Sequence, residues 1–281
     1  MNLSYIQRSA QVFPFLIMAH RGFRGGNIIE NTRQSTQLAF MAGADIIELD
    51  VCRSKDHIYY LFHSTQEAQL LGLDRHFHDL YSDEIEAVYQ RNSIGLESNY
   101  KVERLEDYLA WFPKDKMINI DRSWWYWDDP QFFEIFKKYN VIDRCFLKNN
   151  LAGDGYDYLK ALNKTNQKIA YLPIAHCQED YYRVKDLKQI QLIGIEMILL
   201  NANTDLLDDK FIKELQANQQ IILMDGEKLG KDKPFFFGRE DDYSLFENPD
   251  QGWGQMYQLG ANVIETDWPN FLYQYRQNMN K

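Results

Sequence analysis

Residues 43–51 read GADIIELDV, and the fold turns on what this run is. Ile46, Ile47, Leu49 and Val51 make it nearly continuous in apolar side chains, but Glu48 and Asp50 interrupt it. Two residues apart in a strand, these acids point to the same side. One reading is an exposed, alternating strand with its acids in water. The other is a strand whose acids converge on a balancing charge. Like charges this close raise one pKa unless a cation intervenes. A hard divalent cation, Ca²⁺ or Mg²⁺, meets that need, because both prefer carboxylate oxygen. On the pair alone the two readings stand equal, so neighbouring segments decide.

Working outward, short β-rich runs alternate with amphipathic segments along the whole chain. Upstream, FLIMAH (15–20) precedes NTRQSTQLAFMAGA (31–44), where Thr32 can cap a helix carrying Leu38, Ala39 and Ala42 at helical spacing. Downstream, IYYLFH (58–63) reads as a hairpin partner of the 46–51 strand. Residues 64–102 are polar and mixed, and read as an insertion. Then KMINIDR, RCFLKNN, KIAYLPIAH, MILLNAN, QIILMDGE and VIETDWP alternate with helical runs such as DPQFFEIFKKYN and DDKFIKELQAN. Eight parallel-type strands, each followed by a helical candidate, predict a (β/α)₈ barrel rather than an open sheet. At about 250 residues such a barrel is one unit. The 281 residues contain no Pro/Ser linker, so 1–281 reads as a single barrel domain with a small insertion after the second strand.

The bulk composition narrows the partners. Hydrophobic content of 45% supports a sizeable core, and 15% aromatics suit a deep core or a lined cleft. A formal net charge of −10 argues against nucleic-acid binding, which depends on displaced counterions around Lys and Arg. Any phosphate must be held locally. Cys52, Cys145 and Cys177 match no zinc spacing and read as reduced thiols of a cytoplasmic protein. No apolar run approaches the roughly 20 residues of a transmembrane segment, and nothing in the sequence sets an oligomeric state.

In a barrel, chemistry belongs at the C-terminal ends of the strands. The residues there are His20 and Arg21, Glu48 and Asp50, His63, Asp121 and Arg122, Lys148, His176 and Asp225. Charged side chains seldom enter a packed core without partners. Asp121 is a natural third ligand beside Glu48 and Asp50. His20 and His63 suit acid and base roles, since imidazole titrates near neutrality. His57, His76 and His78 read as loop or surface residues, and His176 as either a cleft or a core residue.

These residues form a recognisable pattern. AHRG (19–22), ENT (30–32), GADIIELDV (43–51) and SKD (54–56) followed by FH (62–63) resemble the glycerophosphodiester phosphodiesterase family in order and spacing. GANVIETDWPNFL (260–272) resembles that family's closing strand and helix start. The resemblance implies a metal-dependent (β/α)₈ phosphodiesterase acting on a small-molecule glycerophosphodiester or a lysolipid. It implies His20 and His63 as the acid/base pair, Glu48, Asp50 and Asp121 as ligands of Ca²⁺ or Mg²⁺, and Arg21 on a phosphate oxygen. Gly22 lets the backbone turn. Glu30 and Asn31 brace the loop or merely cap the following helix.

Three positions depart from the family pattern. His63-Ser64 stands where His-Asp is usual, Asp121 where a Glu is usual, and Ser123 where a phosphate lysine is usual. Arg122 and Lys148 are the candidate replacement cations; Arg122 needs a bulge to reach the site. The SWWYWDD cluster (123–129) lines a cleft or packs the core, and residues 227–254 form a lid or an oligomer contact. Two alternatives stay open. One is a barrel without turnover that serves as a binding module, as Ser64 and Ser123 suggest. The other is a phospholipase-D-like lyase acting on a lysolipid or sphingolipid and releasing a cyclic phosphate.

Overall fold

The computed structural model describes residues 3–165, 167–228, 230 and 234–279. Its strands are β1 (Leu16–Ala19), β2 (Ile46–Arg53), β3 (Tyr59–Leu61), β4 (Met117–Asp121), β5 (Cys145–Asn150), β6 (Ala170–Ala175), β7 (Gln191–Leu192), β8 (Gly194–Met197), β9 (Ile221–Asp225) and β10 (Val263–Thr266). Eight close a ring in the order β1-β10-β9-β8-β6-β5-β4-β2, with β2 pairing back onto β1. All pairings in the ring are parallel. This is the (β/α)₈ barrel that the alternation predicts. β3 is the expected antiparallel partner of β2, and β7 pairs β6 outside the ring.

Helix signals read from the sequence hold. Thr32 caps the helix Arg33–Met41 in a capping box with Ser35. Asp129 caps Pro130–Lys138, with proline in the first turn, where its missing N–H costs nothing. One strand shifts: MILLNAN is expected as a strand, but β8 ends at Met197, at the start of that run. Leu199 instead bridges to Phe236, outside the ring. Its apolar character marks burial beneath the 234–237 segment rather than pairing within the ring.

The strand period arranges the barrel's interior. Met18, Ile46, Met117, Phe146, Leu223 and Val263 form one apolar cluster, joined by Ile6 from the helix Tyr5–Ser9. Two residues further along the same strands, the same face carries His20, Glu48, Asn119, Lys148, Asp225 and Glu265, all buried. The interior therefore changes from apolar to charged at one level. Residues 64–102 fold as short helical pieces around a separate small core that includes Tyr60, Phe62, Leu71, Phe77 and Ile85. They stand between β3 and β4, so the insertion follows the β2–β3 hairpin. The three cysteines are unpaired.

Candidate active site

β2 and β4 lie side by side with Asp50 opposite Asp121. Glu48, Asp50 and Asp121 each offer a carboxylate oxygen, and these oxygens lie within 4.8 Å of one another. Burial, and then the Asp50 charge, push the Glu48 carboxyl well above its usual range. Asp121 is also raised by burial, against the pull of Lys148. Burial opposes charge on Asp50 too, but Arg21, His63 and Asn31 together hold its pKa below the usual value. The cluster is thus short of positive charge. Three hard oxygens in mutual reach fit a divalent cation that binds carboxylates at about 2.0–2.6 Å.

The loop after β1 orients this cluster. The Arg21 backbone N–H donates to Glu48 at 2.8 Å, and its Nε lies 3.1 Å from Asp50. The Asn31 amide donates to the Asp50 carboxylate at 3.0 Å and accepts the Asp50 N–H at 3.0 Å. Glu30 accepts from Arg21 Nη1 at 2.9 Å. Arg21 and Asn31 both adopt left-handed backbone, with φ of 54° and 57°. Gly22 follows at φ 81°, where a Cβ would collide with Ser35. Glu30 and Asn31 therefore brace the loop, and Thr32 does the capping.

The two imidazoles stand in opposite environments. His20 Nδ1 lies 3.0 Å from Asp267, in hydrogen-bond geometry, and 2.5 Å from Glu227. Burial opposes its charge, yet Glu227 and Asp267 outweigh burial and raise its pKa well above the ordinary value. His63 has a buried Nδ1 with no hydrogen-bond partner. Burial lowers its pKa, Arg21 and Arg122 lower it further, and Asp50 pulls the other way. Both imidazoles act electrostatically on Asp50. Glu227 and Asp267 escaped the sequence reading. The signals were present in DGE just past β9 and TDWP at the end of β10.

Arg122 reaches the site by a route other than a bulge. It follows β4 with φ 51°, a left-handed residue that turns the side chain back. Its Nη2 donates to Ser64 Oγ at 2.9 Å, its guanidinium lies 5.7 Å from the rings of Trp124 and Trp125, and its Nε has no partner. Ser123 is buried and accepts from the Trp127 indole at 3.0 Å, so it belongs to the core. The aromatic cluster divides accordingly. Tyr126 and Trp127 pack inward, while Trp125 is 42% exposed.

Lys148 does not join the acid triad at β2 and β4. Its ammonium lies 2.9 Å from both Glu196 and Glu265, deep in the barrel. His176 is exposed and hydrogen-bonded to Asn150; it lines a surface cleft with Asn201, Thr204 and Asp205, apart from the acid triad, and is not a core residue. His57, His76 and His78 are exposed as expected. In the 227–254 segment, Phe236 is fully buried and Asp241 accepts from Thr266 and from the Trp253 indole. Residues 229 and 231–233 of that segment lie outside the described residues.

Residues 20–145 match the Glycerophosphoryl diester phosphodiesterase family. Among curated proteins, a Glycerophosphodiester phosphodiesterase from Bacillus altitudinis is 25% identical over 270 residues, covering 94% of this chain and 98% of that one. The Bacillus subtilis protein YqiK is 33% identical over 139 residues, 47% of this chain and 56% of its own length. The chain thus matches about half the length of that relative. The solved Oleispira antarctica phosphodiesterase, in complex with the product sn-glycerol-3-phosphate, superposes with a TM-score of 0.66 at 16% identity, covering 96% of this chain and 99% of that one. Among the described residues, no helix is long and apolar enough to cross a membrane.

Proposed function

We propose that this chain is a glycerophosphodiester phosphodiesterase, a reading supported by the family match over residues 20–145, and that it hydrolyses glycerophosphodiesters to an alcohol and glycerol 3-phosphate. The observation that carries the reading is the opposed state of two imidazoles around one acid cluster. His20 Nδ1 stands against the carboxylates of Asp267 and Glu227, which favour its protonated form, while His63 has an unpartnered Nδ1 in a buried position beside Arg21 and Arg122, which disfavour protonation. A general acid and a general base need that division at a single pH.

In this mechanism His63 takes a proton from the attacking water as its oxygen adds to phosphorus. His20 gives its proton to the departing alkoxide as the bond from phosphorus to the alcohol oxygen breaks. Solvent exchange then resets both rings. Asp267 and Glu227 keep the His20 ring oriented and charged. The guanidinium of Arg21, and Arg122 through its unpartnered Nε, donate to the non-bridging oxygens. Lys148 has no part here, because Glu196 and Glu265 already occupy its ammonium. Ser64 supports Arg122, a different task from orienting His63.

Glu48, Asp50 and Asp121 would hold the divalent cation, Ca²⁺ or Mg²⁺. A cation held there supplies Lewis-acid withdrawal of charge from the phosphoryl oxygens. Asn31 and the Arg21 backbone fix the carboxylates that receive it.

The test is phosphorus NMR of glycerophosphoglycerol and glycerophosphocholine incubated with the purified protein. Glycerol 3-phosphate is expected to accumulate with Ca²⁺ or Mg²⁺, to stop on chelation, and to resume when metal is restored. A cyclic phosphate product would replace water with a substrate hydroxyl as nucleophile. No turnover with either metal would reduce the chain to a binding module and overturn the proposal.

A further inference from the structure

A cavity of about 380 Å³ opens between the β1 loop and the 64–102 insertion. Arg21 lies in its wall, so it adjoins the phosphate-binding end of the site. The other charged residues lining it are Arg24, Arg91 and Glu30. Their balance is unusual in a chain of net charge −10. Among the described residues Glu30 is the only acid in the wall, engaged by Arg21 at 2.9 Å and Arg24 at 3.4 Å, and the Nη2 of Arg24 also donates to Asp267 at 3.3 Å. The Nη1 of Arg24 is buried without a hydrogen-bond partner. The guanidinium of Arg91 makes no ion pair among the described residues.

Local backbone holds Arg91 at this wall. Its N–H donates to Leu70 carbonyl at 2.7 Å, and the residue bridges Glu97 in antiparallel pairing. Gly72 ends the Glu67–Leu71 helical turn at φ 68°. A Cβ there would strike the Arg91 guanidinium, so the glycine provides both the left-handed turn and the flat surface on which this side chain rests. Gln66, Gln69 and Ser93 add neutral hydrogen-bonding groups, and Ile28, Ile29 and Leu70 add apolar surface. A site of this size is in the range of small-molecule pockets.

We propose that this cavity receives the second arm of the diester and selects an arm that carries a further phosphate. The inference rests on the phosphodiesterase reading above and adds the substrate class to it. Two guanidinium groups with unmet capacity form charge-assisted, fork-shaped bonds to phosphate oxygens. They repel a quaternary ammonium, so a choline arm is disfavoured. A neutral glycerol arm gains hydrogen bonds but no charge pairing.

The test compares three substrates: bis(glycerophospho)glycerol, glycerophosphoglycerol and glycerophosphocholine. The kcat/KM values are expected to fall in that order. In Arg91→Gln the ratio of the first to the third should drop about tenfold, through KM, as loss of a charge-assisted hydrogen bond implies. Arg91→Lys should restore part of it. Calorimetric binding of the same probes to the His20→Ala protein repeats the comparison without turnover. If all three compounds were hydrolysed at similar kcat/KM, or Arg91→Gln weakened all three equally, the subsite would be overturned while the phosphodiesterase reading stood. If no compound were hydrolysed, that reading would fall, and the binding order would alone decide whether the cavity selects phosphate.

Discussion

Two triads of carboxylates share one barrel, and they are balanced by different means. Glu48, Asp50 and Asp121 lie at β2 and β4; Glu196, Asp225 and Glu265 lie at β8, β9 and β10. In each, the oxygens come within 4.8 Å of one another. The second triad contains its own cation: Lys148, buried and 2.9 Å from two of the acids. One ammonium cannot balance three carboxylates, and the remainder shows in their proton affinity. Burial and the neighbouring Glu265 charge, against the pull of Lys148, push Glu196 up to about 8. Burial, then Glu196 and Glu265, raises Asp225 well above its usual value. The first triad has no lysine bonded to it, and Lys148 pulls on its Asp121 only through space. Arg21 touches Asp50 but is also tied to Glu30, and Glu48 is left with a raised pKa. The comparison teaches that an acid cluster is a cation site only where the fold has not already filled it.

The largest way to break this contrast is in the first triad. Glu48→Gln combined with Asp50→Asn should lower kcat by about a thousandfold or more, the scale expected for removing transition-state electrostatics. Thermal unfolding of the metal-free protein should show only a small net change, since relief at the raised Glu48 carboxyl offsets the loss of the Asp50 charge that Arg21 and Asn31 hold. Activity within tenfold of the parent would disqualify the triad.

A change in the second triad should act on stability first. Lys148→Met leaves buried acids without their counter-ion, at a cost of about 3–5 kcal/mol by denaturant unfolding. Adding Glu265→Leu should recover much of that loss, because one uncompensated charge goes with it. A Lys148→Met protein as stable as the parent would show that the ammonium is not what balances these acids.

The smallest effect concerns the imidazoles that flank the first triad. His63, with its lowered pKa, is basic above a value that lies under 6.5, so activity falls as pH drops through it. His20, with its raised pKa, is acidic below a value that lies above 6.5, so activity falls as pH climbs through it. The pH profile should therefore be a plateau spanning 6.5. Glu227→Gln removes a charge that raises His20 and should move only the alkaline limb, to lower pH. Movement of the acid limb instead would exchange the roles of the two histidines.

Two members of the first triad were legible in GADIIELDV, because strand parity puts Glu48 and Asp50 on one face, and Asp121 was legible at the end of KMINIDR. His20, His63 and Arg21 stood at recognisable strand ends. The second triad was not legible as a unit. Glu196, Asp225 and Glu265 belong to strands far apart in sequence, and no local pattern announces that Lys148 turns toward them. Arg122 was legible as a cation, but its reach to Ser64 depends on one left-handed residue after β4.

Alternating periodicity by itself determined the barrel, because periods near 2 and 3.6 bury one face only when strand and helix alternate in space. It also determined which side of each strand carries charge. What the closed ring alone decided is which charges meet. Pairing depends on ångström-scale distances between side chains from non-adjacent strands, and Coulomb energy in a dry interior is steep in that distance. Lys148 is therefore a cation in the sequence and an internal counter-ion in the fold.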